Sequence, residues 1–164
     1  MQKLFGSFGG HGPRGTGGFF GTLGFRAPLL MALAAGMAEF GGGLLLASGL
    51  LTPLAALAIA VVMLNAIGSV HWHNGFWNGK GGYEFNLTLW AAAVAIAAIG
   101  AGRFSLDALI GWVDNISGLW WGVGAAGLSM LVSAATLTLG RRVDEPVGAM
   151  QPAGQEEAGH RKAA

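Results

Sequence analysis

Residues 28–51, PLLMALAAGMAEFGGGLLLASGLL, decide the fold because they form an almost unbroken apolar run of 24 residues. A helix needs roughly 20 such residues to cross the hydrocarbon core of a bilayer. Pro28 suits the first turn of a helix, where a backbone N–H has no partner to lose. Glu39 is the only charged side chain in the run. The stretch therefore predicts a transmembrane helix.

Three further apolar segments follow, so the sequence predicts an all-α integral membrane bundle of about four transmembrane helices. The predicted spans are 28–51, 54–70, 83–101 and 119–139, within a bundle of residues 1–140. The Gly- and Phe-rich segment 1–26 and the amphipathic segment 102–117 are expected to lie along the membrane interface. Residues 141–164 lack the apolar content to fold and predict a disordered tail.

Composition supports a membrane setting, with the lipid bilayer as the first expected partner. The chain is 53% hydrophobic and 10% charged, whereas soluble domains average about 25% charged residues. Its nine Lys and Arg residues form no dense stripe, which excludes nucleic-acid binding. It has no cysteine, so a redox role requires a cofactor, a lipid-soluble substrate or a partner protein.

Glu39 is the first candidate functional residue, because it lies near the middle of the first predicted span. An ionised carboxylate facing lipid at that depth costs roughly 3 kcal/mol or more. Asn65 is its predicted hydrogen-bond partner, since both residues lie 13 positions from Thr52 and share a depth in an antiparallel helix pair. Ser69 follows Asn65 by four residues, on the same helical face. These positions predict a polar track from the following loop into the bundle.

The predicted site combines this track with the polar residues of the loop that follows. Its expected catalytic residues are Glu39 and His71, and its expected substrate-binding residues are Asn65, His73, Tyr83 and Glu84. The alternative interpretation is a structural clasp of polar residues that closes one end of the bundle. A metal site is not expected, because His71 and His73 cannot converge from one helical face.

Four stretches of the sequence, in this order, resemble the DoxX family of small bacterial membrane proteins. They are QKLFGSFGGHGPRGTGGFFGTLGF (2–25), AEFGGGLLLASGLLTPLAA (38–56), VHWHNGFWNGKGGYEFNL (70–87) and GRFSLDALIG (102–111). The resemblance implies a four-helix bundle in the bacterial inner, or plasma, membrane. It also implies a link to thiosulfate:quinone oxidoreductase subunits and to membrane complexes that counter oxidative stress. The family pattern draws attention to Gln2-Lys3-Leu4, Glu39, His71, Tyr83 and Glu84.

Two features depart from this family pattern. Members usually carry a hydrophobic helix before the stretch matched by QKLFG, so the sequence predicts either a start further upstream or a shortened member with an added span at 119–139. The orientation is also open. Eight basic residues on one side against Arg103 on the other favour cytoplasmic termini, whereas the family pattern places the His71 loop outside.

The leading functional hypothesis is a membrane subunit of an oxidoreductase. Its pocket is expected to bind a quinone or a small sulfur compound, with no covalently bound cofactor, while a protein partner supplies the redox centre. Whether the chain itself is catalytic stays open. The alternatives are a small-solute transporter and a non-catalytic membrane scaffold.

Overall fold

A computed structural model describes residues 1–142 as a helical bundle, and it confirms the predicted all-α membrane fold. In this part of the chain the only extended pairing is an isolated bridge between Phe25 and Arg141. The helices are α1 (Gln2–Phe5), α2 (Gly12–Thr22), α3 (Pro28–Ser48), α4 (Thr52–Ala66), α5 (Glu84–Ile99), α6 (Leu106–Leu109) and α7 (Leu119–Leu139).

Three helices are long and apolar enough to cross a membrane. They are α3, α7, and α4 with its continuation through Asn74, which together run for 23 residues. α5 is shorter, at 16 residues, or about 24 Å at 1.5 Å per residue. That length falls below the roughly 30 Å of a bilayer core. The predicted span 83–101 is therefore a shorter helix than the other three.

α4 lies at the centre of the bundle and packs against α3, α5 and α7. The core consists of small residues, which let helices approach closely where lipid gives no hydrophobic gain from association. The buried core cluster is Ala56, Ala60, Ala93, Ala97 and Ala125. On α7, a Cβ atom at Gly122 would lie 2.7 Å from the Cβ of Ala98. Glycine at this position therefore permits the contact between α7 and α5.

In the N-terminal segment, α1 and α2 form a hairpin that packs against α3. A Cβ atom at Gly17 in α2 would lie 3.2 Å from the Cα of Leu29, so the two backbones almost touch. α1 reaches the middle of α3, where the Phe5 and Phe40 rings meet edge to face at 5.5 Å. Hairpin α1–α2 therefore adds a wall alongside α3.

Segment 102–117, which was expected to lie along the interface, contains the short helix α6 and buries a carboxylate. Asp107 is fully buried. It accepts hydrogen bonds from the N–H groups of Leu51 at 2.8 Å and Thr52 at 3.1 Å, and from the Thr52 hydroxyl at 2.8 Å. The first N–H groups of a helix lack partners within the helix. Asp107 therefore caps α4 from a distant part of the chain.

At the opposite end of the bundle, the end of α7 is tied to the loop between α2 and α3. The N–H of Arg26 donates to the carbonyl of Gly140 at 2.9 Å, and the N–H of Arg142 donates to that of Gly24 at 2.8 Å. The first two residues of the predicted disordered tail, 141 and 142, are thus held in place. The remainder of that prediction, residues 143–164, lies outside the described residues.

Candidate functional site

A cavity of about 680 Å³ lies between hairpin α1–α2 and helices α3, α4 and α7. Its wall is mainly apolar and includes three aromatic rings. The polar side chains of the wall are Gln2, Lys3, His11, Thr16, Asn65, Ser69, His71 and Thr136, and the aromatic ones are Phe19, Phe20 and Phe25. Small-molecule sites typically have this size and a mainly apolar wall with a few polar groups.

The backbone of α4 changes its winding where it reaches the cavity. After Ala66 the helix continues as a π-helical turn, Ile67–His71, followed by the 3₁₀ turn Trp72–Asn74. π-helical turns are rare and occur frequently at functional sites. Asn65, Ser69 and His71 all line the cavity. The structure therefore places these three polar side chains in one wall of a cavity.

His71 is held in a defined orientation by the loop that follows it. Its Nδ1 lies 2.7 Å from the carbonyl oxygen of Gly81. A carbonyl oxygen can only accept a hydrogen bond, so Nδ1 carries the proton and Nε2 of the neutral ring is an acceptor. An imidazole fixed in this way can take up a proton at Nε2 and release it again without turning.

Asn65 is anchored within the bundle by its amide nitrogen. Nδ2 donates to the carbonyl of Val61 at 2.9 Å and to the hydroxyl of Ser133 at 3.2 Å. The bond to a carbonyl fixes which side of the amide is nitrogen. Oδ1 is buried and has no hydrogen-bond partner among residues 1–142, although buried polar atoms are nearly always paired. Asn65 therefore contributes an unsatisfied acceptor beside the cavity.

Glu39 does not pair with Asn65 as predicted, because Lys3 of α1 is its partner. The Lys3 ammonium donates to the Glu39 carboxylate, and the two side chains are 30% and 33% exposed. Lys3 lines the cavity, whereas Glu39 is not among its wall residues. The prediction treated α3 and α4 as an isolated pair, so it missed the cation that hairpin α1–α2 brings to the middle of α3.

The remaining predicted residues lie in the loop and at the start of α5, outside the cavity wall. Tyr83 stacks on Trp72 at 5.5 Å and meets Phe76 edge to face at 5.6 Å. Glu84 accepts a hydrogen bond from the N–H of Asn78 at 3.0 Å. His73 is exposed. Tyr83 and Glu84 thus fit the alternative clasp interpretation, and the substrate-binding role of all three stays a prediction.

The cavity wall also contains residues that the sequence did not single out from their own chemistry. His11 and Lys3 both lie in the hairpin and line the cavity. No periodic pattern marks them, because their segment is rich in glycine.

Among residues 1–142, no three His, Cys, Asp or Glu side chains are grouped as a metal site would require.

Residues 1–72 match the model of the DoxX family, and this match confirms the resemblance predicted from the sequence. The matched part contains hairpin α1–α2, α3, α4 and His71. It ends before Tyr83 and α5, whereas the sequence predicted a resemblance over residues 2–111. Neither the curated proteins nor the solved structures give a match to this chain.

Proposed function

We propose that this chain, whose residues 1–72 match the DoxX family model, is a membrane subunit of an oxidoreductase complex in the bacterial inner membrane. In this proposal the cavity binds the head group of a quinone, and a partner protein holds the redox centre. The proposal rests on one observation: a single cavity has an apolar wall with aromatic rings and also contains His71, whose imidazole is oriented by a hydrogen bond.

A quinone head group suits this cavity for chemical reasons. Its ring is flat and apolar, which matches a wall containing Phe19, Phe20 and Phe25. Its two carbonyl oxygens accept hydrogen bonds, and the Lys3 ammonium and a protonated His71 are donors in the same wall. Thiosulfate suits it less well. Glu39 already balances the charge of Lys3, which keeps N–H donors for a neutral ligand but no net charge for an anion. A dianion placed against apolar groups also loses its hydration without full compensation.

His71 is the residue that we propose to transfer protons. Reduction of a quinone to a hydroquinone takes two electrons, here from the partner protein, and two protons. An imidazolium donates one proton from Nε2 to one carbonyl oxygen and is left neutral, while Nδ1–H keeps its bond to Gly81. The Lys3 ammonium, the other donor in the wall, supplies the second proton to the other oxygen. Glu39 contacts Lys3 and does not line the cavity. Its predicted role as a proton carrier therefore requires proton transfer through the Lys3 ammonium.

Replacing His71 by Gln is expected to weaken the binding of a short-chain quinone about tenfold, the equivalent of about 1.4 kcal/mol. The physical reason is the loss of a hydrogen bond to a charged donor, which contributes a similar amount. The measurement is a titration of detergent-purified protein followed by thermal shift. Thiosulfate is titrated in parallel.

His73 provides the matched control, because it is the same residue type two positions away and lies outside the cavity wall. His73→Gln is expected to bind quinone as the wild type does. If no quinone stabilises the wild type, or if both histidine variants lose affinity equally, the proposed role of the cavity is wrong.

A further inference from the structure

A second cavity, of about 400 Å³, lies where the end of α7 meets the loop between α2 and α3. Its wall consists of residues 21–24 together with Arg141 and Arg142. Arg26 is adjacent, since its Nε donates to the carbonyl of Arg141 at 3.0 Å. The cavity is therefore small and cationic. It borders the first cavity, whose wall includes Phe20 and Phe25, but among residues 1–142 no residue lines both.

Arg141 is held in place and does not extend freely into solvent. Its guanidinium lies over the Phe25 ring, 5.3 Å from the centroid. Its backbone pairs with Phe25 in an antiparallel bridge. Its Nε is buried and has no hydrogen-bond partner among residues 1–142. Because this guanidinium is already ordered and Arg141 lines the cavity, it is preorganised for a ligand of negative charge.

The surface beside this cavity is apolar. Leu139, two residues before Arg141, is 74% exposed, and Leu128 is 47% exposed. They are 11 residues apart, which is three helical turns, so both lie on one face of α7. α7 is long and apolar enough to cross a membrane. The arginines therefore end an apolar helix at the level where lipid head groups are found.

We propose that this cavity binds the phosphate of an anionic phospholipid, with the acyl chains along the α7 face of Leu128 and Leu139. The planar guanidinium fork matches the oxygens of a phosphate group. Basic pockets between transmembrane helices at the membrane surface bind such head groups. The apolar face next to the cavity favours a lipid over free phosphate, because only a lipid covers both surfaces at once.

The test is a titration of detergent-purified full-length protein with short-chain phosphatidylglycerol. The variant Arg141→Gln/Arg142→Gln is expected to bind this lipid at least about tenfold more weakly than the wild type, since each charged hydrogen bond contributes about as much as a tenfold change in affinity. Arg142→Gln alone, a change at an exposed side chain, is expected to show part of that loss in a protein with unchanged thermal stability.

Arg103 gives the charge-matched control, because it is an exposed arginine at the other end of the bundle. Arg103→Gln is expected to keep the wild-type affinity. Phosphatidylcholine, which carries no net charge, is expected to bind much more weakly. Equal affinity for the two lipids, or an unchanged affinity in the double variant, overturns the proposal. Inorganic phosphate that binds as tightly as the anionic lipid overturns the assignment to a lipid.

Discussion

Asp107→Ala is expected to lower the free energy of unfolding by about 3 kcal/mol, the largest effect of any single substitution considered for this chain. The carboxylate accepts three hydrogen bonds, from the backbone of Leu51 and from the backbone and hydroxyl of Thr52. Removing it leaves buried donors without partners. Leu51 also has a positive φ of 49°, a conformation that costs a non-glycine residue roughly 1 kcal/mol or more.

The measurement is the apparent Tm of detergent-purified protein, which is expected to fall by about 10 °C. Asp114→Ala is the control, because Asp114 is an exposed carboxylate in the same segment; its Tm is expected to stay near that of the wild type. Asp107→Asn keeps one acceptor oxygen and is expected to give an intermediate value. Equal Tm values for Asp107→Ala and Asp114→Ala would rule out the capping role.

The second large effect concerns the ion pair of Lys3 and Glu39. Lys3→Met leaves a partly buried carboxylate without its cation, and Glu39→Gln leaves the ammonium without its anion. Each is expected to cost about 1 kcal/mol, since removing one partner of a partly buried pair leaves the other charge unpaired while water still reaches it. The double variant removes both charges and is expected to cost less than the sum of the two single changes.

The thermal stabilities of the wild type, the two single variants and the double variant form a cycle that isolates this interaction. Lys80→Met is the control, as Lys80 is an exposed lysine in the loop. Strictly additive single effects contradict a direct ion pair. The cycle also separates two roles of the pair: if the double variant is stable and still binds quinone, Lys3 and Glu39 stabilise the fold and are not needed for quinone binding.

The helices were predictable because each spanning segment is a long apolar run bounded by Pro, Gly or charged residues. The predicted span 28–51 corresponds to α3, which begins at Pro28 as predicted and ends at Ser48, three residues earlier than predicted. The end of α4 was harder to predict. The apolar run 54–70 does not show that the α-helix stops at Ala66 and continues as a π-helical turn.

Part of the site followed from spacing within one helix. Asn65 and Ser69 are four residues apart, and the structure places both, with His71, in the wall of one cavity. The contacts that the sequence did not indicate connect distant segments. Lys3 is 36 residues from Glu39 in the sequence. Glu39 and Asn65 were paired because they were expected at the same membrane depth, and that expectation did not include hairpin α1–α2.

Asp107 illustrates a second reason for the missed contacts. Its helix, α6, has four residues, too few for a hydrophobic period to show which face is buried. Its function as the cap of α4 depends on a partner 55 residues earlier in the chain. The residues around Asp107 in the sequence do not indicate which distant segment it contacts.

The most direct test of the central claim is covalent labelling with a photoreactive short-chain quinone, followed by peptide mapping. The cavity account predicts labelling in hairpin α1–α2 and in residues 61–71, the segments that line the cavity, and loss of that labelling when unmodified quinone is in excess. Labelling confined to the loop residues 72–84, or labelling that excess quinone does not reduce, would contradict it.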